Sequence, residues 1–229
     1  MPPDIRVDIM YRRHIPGRRL LMGVRFTEDD FGVTHLASLF HQDWRALGSA
    51  RDVVVSYVEE TSEPYAEALA EDAHRLAGSN AASAVATLWE CATGSNYQLD
   101  AGKALAWFRE IATICESRLS GAGWSVSSPI GESPYGELRE RVVAEIDQIG
   151  PRLAEAIDRN SWKGIPEAVA SLRFCAVNIC PELAFRILLR VLMEYSCNID
   201  QDRYVGFVKL GREFSYGEFV VSRAEFLIS

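Results

Sequence analysis

At 229 residues the chain has the length for one large domain or two small ones, and 48% hydrophobic with 24% charged residues is a globular balance. The net charge of −8 is uneven: residues 1–25 hold six Arg against two Asp, leaving 18 basic and 30 acidic residues in the remainder. Such a body repels nucleic acid, whose binding needs Lys and Arg against phosphate, and favours a basic partner.

The N-terminal stretch "MPPDIRVDIMYRRHIPGRRLLMG" lacks the continuous apolar segment and small-residue cleavage site of a signal peptide, so the expected compartment is the cytoplasm. Within it, "IRVDI" alternates apolar and charged residues and Pro16-Gly17 is a turn signal. The basic segment 1–25 therefore reads either as a small β-hairpin or as a tail. From residue 26 to 120 the pattern is helical. Val33, Leu36, Phe40 and Leu47 share one stripe at helical spacing. "SARD", Ser49 to Asp52, has the form of a capping box, and Ser62 with Pro64 opens a further helix. Gly78 and Gly94 are stop signals, and Asp100 precedes a longer helix carrying Phe108, Ile111 and Leu119 inward.

Residues 120–134, "SGAGWSVSSPIGESP", contain ten Gly, Ser or Pro among fifteen, which places a linker at 121–134. The second half, 135–229, opens with a helix to Asn160 whose apolar face is Leu138, Val142, Ile146, Ile149, Leu153 and Ile157. Pro151 is expected to kink or divide it. Two helices divided near Pro181 follow, the second apolar nearly all round and hence central, then two closing helices over 200–213 and 216–228. No apolar run reaches the roughly 18 residues of a membrane span. The expected fold is mainly α, a bundle of about eight to ten helices in two halves.

Signatures of chemistry are sparse. No GxGxxG, GxxxxGK[ST] or GxSxG occurs. The four histidines form no HExxH pair and the five cysteines, odd in number and widely spread, form no CxxC pair. They suit reduced core thiols better than a disulfide framework. No metal or cofactor is expected, and the chain reads as a non-enzyme.

The stretch "FHQDW", Phe40 to Trp44, is the one constellation that invites a catalytic reading. Its "HQD" is similar to the HxE of zinc deaminases, but the companion PCxxC is missing. If the first helix runs through Leu47, Asp43 falls inside the apolar stripe, where an unpaired carboxylate is costly. Asp43 would then accept backbone or Arg hydrogen bonds at the turn before Ser49. The alternative pairs His41 and Asp43 as acid and base, but side chains two apart on a helix do not face each other. Phe40, Asp43 and Trp44 are therefore read as fold-supporting, with His41 the exposed member.

Downstream, residues 52–72 hold seven acidic residues and no Lys or Arg. Glu63, Glu67 and Glu71 follow at i, i+4 and i+8, where like charges cost a helix roughly 0.2–0.5 kcal/mol per pair. Only Arg75 stands where it could relieve them. The row is either a solvated face of an acidic protein or a surface presented to a basic partner.

"LASLFHQDW", followed by "ARDVVVSYVEE" and a helix ending "HRLAG", resembles the small α-helical immunity proteins of contact-dependent growth inhibition systems. The similarity covers roughly residues 30–120 and leaves 135–229 uncovered. It implies a non-catalytic protein that binds the C-terminal toxin domain delivered by a neighbouring cell, with no nucleic-acid or membrane partner. Many such toxins are nucleases, basic where they meet phosphate. Glu59, Glu60, Glu63, Glu67 and Glu71, with His41, then become the expected toxin-binding residues. A general helical scaffold or regulatory adaptor fits the same surface.

Overall fold

Apolar residues recurring every three or four positions fold as helices throughout the computed structural model, which describes residues 29–120 and 135–229. The segment 1–25 and the linker 121–134 lie outside the described residues. Among those described there are ten α-helices and no strand. The fold is mainly α.

The first helix, α1 (Gly32–Ser38), is shorter than its stripe. The amides of Leu39 and Phe40 bond back three residues, to Leu36 and Ala37, and this tightening ends it. The expected continuation to Leu47 is corrected: Trp44–Leu47 is a separate single turn, and Leu47 is 62% exposed. The capping box forms as expected at α2 (Ala50–Glu60), where Ser49 Oγ accepts from the Asp52 amide and Asp52 Oδ2 accepts from the Ser49 amide. α3 (Glu63–Ala77) carries Pro64 in its first turn, although the Ser62 hydroxyl makes no cap bond. α4 (Ala82–Ala92) stops at Gly94, and α5 (Ala101–Leu119) begins after Asp100. α3 lies along α5, with α1 and α4 packed beside them.

In the second half, α6 (Arg139–Asn160) passes through Pro151 undivided. The proline sits on the exposed face, where it withholds the amide that would have bonded the Asp147 carbonyl. α7 (Ala168–Phe174) runs into a wide turn, Cys175–Ile179, closed by the Cys180 amide, which reaches back five residues to the Cys175 carbonyl. Pro181 then opens α8 (Pro181–Glu194), buried on nearly every side as its composition demanded. α9 (Gln201–Glu213) is followed by only a four-residue α10 (Phe219–Ser222) and a short turn, Glu225–Leu227. The expected closing helix over 216–228 is thus broken, because its end is drawn out to pair Ile228 with Ile199.

Side chains from both halves bury into one apolar cluster. α4 meets α7 and α8, and α1 reaches α8. At about 1.5–3 kcal/mol for each fully buried Leu, Ile or Phe, this shared core is the main stabilising contribution. All five cysteines lie inside it as free thiols.

Candidate functional site

Phe40 and Trp44 are buried, while His41, Gln42 and Asp43 between them are exposed. Phe40 stacks on Tyr97 with ring centroids 4.9 Å apart and meets Trp89 edge-on at 5.2 Å. The Trp44 indole N–H donates to the Asn96 carbonyl at 3.0 Å. "FHQDW" is therefore a turn whose two aromatics plug into the cluster around Trp89, Tyr97 and Trp107. Such edge-to-face pairs add ~0.5–1.5 kcal/mol beyond their area.

The expected placement of Asp43 in the apolar stripe is corrected: α1 ends five residues before it, and its carboxylate makes no hydrogen bond among the described residues. The acceptor role before Ser49 belongs instead to Asp52. Its carboxyl is held below the usual carboxylate range by the side-chain and backbone bonds from Ser49. His41 Nδ1 accepts from the backbone N–H of Asp43 at 3.2 Å. That local bond holds the ring on an exposed turn.

The acidic row divides in two. Glu59, Glu60 and Glu63 are exposed around the short connection from α2 to α3, and none makes an ion pair among the described residues. Glu67 and Glu71 are half-buried. Arg75 does relieve the row from its end, with Nη2 3.4 Å from Glu71 and Nη1 3.8 Å from Asp72. On the same helix His74 Nε2 lies 2.8 Å from Glu116 of α5. The structure thus groups Glu59, Glu60 and Glu63 at one corner and leaves Glu71 committed to an intrahelical pair.

Sequence reasoning missed the polar centre of the molecule. Arg186 of α8 places Nη2 2.8 and 2.9 Å from the two carboxylate oxygens of Asp72 in α3, both side chains buried. Nη1 donates to the Phe31 carbonyl at 2.9 Å, and the guanidinium lies 4.1 Å over the Phe31 ring. Asp72 also accepts from the Val33 amide at 3.0 Å, close to Gly32, whose φ of 62° suits glycine and whose Cβ would strike the Asp72 carboxylate. Burial opposes the charge on Arg186, but Asp72 and Glu182 outweigh it and hold its pKa well above the ordinary value. The available signal was an Arg inside a helix apolar nearly all round, which needs a buried partner.

No group of three or more His, Cys, Asp or Glu side chains able to hold a metal ion occurs among the described residues. No helix among them is long and apolar enough to cross a membrane. No protein-family model, curated protein or solved structure matches the chain.

Proposed function

We propose that the chain is an immunity protein that binds and neutralises the toxin domain of a contact-dependent growth inhibition system, through direct protein–protein contact. The observation that carries this reading is the exposed corner of Glu59, Glu60 and Glu63, three carboxylates without ion-pair partners among the described residues. It faces outward from the part of the chain that resembles such proteins. A corner of this kind steers a basic partner electrostatically and penalises partners of like charge. The aromatic plug of Phe40 and Trp44 supports the corner indirectly, by fixing the turn that leads into α2.

The test is titration of the purified chain against the C-terminal domain encoded immediately upstream, with toxin activity followed in parallel. A stoichiometric complex that suppresses activity is expected. Glu59→Lys with Glu63→Lys should slow association by about tenfold or more at low salt, the range over which steering acts, while leaving the melting temperature in place. Unchanged association would remove this corner from the interface. Absence of any complex between a folded chain and an active toxin would move the regulatory adaptor ahead.

A further inference from the structure

A cavity of about 360 Å³ opens between the C-terminal half of α6 and the turn that leaves α8. That volume lies within the ~300–1,000 Å³ typical of small-molecule sites. Arg152, Ala156 and Arg159 stand at i, i+4 and i+7 on α6 and so share one face of it. Ser196, Cys197 and Asn198 form the facing wall. That wall is held at both ends: Asn160 Nδ2 donates to the Tyr195 carbonyl at 2.7 Å, and Ile199 pairs with Ile228.

The cavity lining sets Arg152 and Arg159 against Asp200 and Ser229, and the two arginines differ in how far they are paired. Arg152 is largely committed, since Nη1 donates to the Asn198 carbonyl at 3.3 Å and lies 3.9 Å from Asp200 Oδ2. Asp200 is committed too, because Oδ1 accepts the Arg203 amide at 2.9 Å and caps α9. Arg159 makes neither a hydrogen bond nor an ion pair among the described residues, and neither guanidinium pairs with Ser229. Burial pushes the Cys197 thiol up to about 11 while Arg152 and Arg159 both oppose it, so the two cations act on the same floor. The thiol stays protonated at neutral pH, so the hollow holds no ready nucleophile, and Arg159 is its unpaired cation among the described residues.

We propose that this cavity binds a small molecule through an oxyanion group, a phosphate or a carboxylate, with Arg159 as its principal partner. Arg152, the Ser196 hydroxyl and the Asn198 amide complete the cradle. A guanidinium presents its N–H groups in a planar fork that matches either anion, and such charge-assisted bonds are the strong ones. The inference does not rest on the immunity reading, since the cavity belongs to the second half of the chain and shares no residue with the acidic corner.

Calorimetric titration of the full chain with inorganic phosphate, and separately with succinate, tests it. At least one of the two should bind saturably at one equivalent; phosphate alone would point to a tetrahedral group and succinate alone to a carboxylate. Arg159→Gln should weaken that binding about tenfold or more, the loss of one charge-assisted bond. Arg118→Gln, at an exposed arginine of α5, should leave it unchanged. Asn198→Asp, which adds a repelling charge from the opposite wall, should reproduce the loss, with thermal melting confirming that each variant is folded. Absence of saturable binding by both anions would overturn the proposal, as would equal weakening by Arg118→Gln.

Discussion

Asp72 and Arg186 stand 114 positions apart and meet in a site that excludes water from both. Removing one partner of a buried pair strands the other, which costs about 3–5 kcal/mol, whereas apolar replacement of both is often near neutral. Asp72→Asn should therefore lower the unfolding free energy by about 3–5 kcal/mol in urea titrations. Asp72→Leu combined with Arg186→Met should cost much less than the sum of the single changes, a coupling that a double-mutant cycle measures. His41 marks the opposite case. It is exposed and bonded only to its own turn, so His41→Ala should change stability by less than about 0.5 kcal/mol, whereas Phe40→Ala should cost about 3–5. The packing role of Phe40 and Trp44 was legible in "FHQDW", but the place of Asp43 was not, because a turn rather than a helix exposes three consecutive side chains between two buried ones.

At the scale of elements, the capping box was legible because it is local: Ser49 and Asp52 need only each other. Its pH dependence follows from the depressed pKa of Asp52. A carboxylate with a folded pKa below its unfolded one contributes stability above the ordinary value near 4, and that contribution is lost as pH falls through the folded value. Asp52→Ala should accordingly flatten part of the acid limb when melting temperature is followed against pH. Helix contacts were less legible, since they depend on which faces meet. Gly150 of α6 is an example: a Cβ there would come within 2.8 Å of Val169 Cγ1 in the first turn of α7. Gly150→Ala should destabilise the protein by about 1–3 kcal/mol despite its better helix propensity, and Val169→Ala in the same chain should recover part of the loss. The break at the C-terminal end was invisible to periodicity, because the pull on Ile228 comes from Ile199, a residue the local pattern does not contain.

For the whole molecule, the division suggested by the linker does not carry into the core. α4 packs on α7 and α8, and the Asp72–Arg186 pair ties α3 to α8, so the described halves should unfold in one transition. The cysteines offer the check. Burial pushes Cys91 and Cys115 up to about 12, so native thiols should resist an aromatic disulfide reagent at neutral pH and react together as far-ultraviolet dichroism is lost. Reaction of Cys91 and Cys115 well before the remaining three would reveal separate units. The four tryptophans among the described residues divide differently. Trp44, Trp89 and Trp107 crowd into one aromatic nest, Trp89 and Trp107 with centroids 6.3 Å apart, while Trp162 is 77% exposed on the loop after α6. The chain thus carries its own pair of optical reporters: a blue-emitting group able to pass excitation among close rings, and a red-emitting indole open to collisional quenchers. In a Trp124→Phe background, which removes the tryptophan outside the described residues, iodide should dim Trp162 selectively, and adding Trp162→Phe should leave fluorescence that follows the aromatic nest.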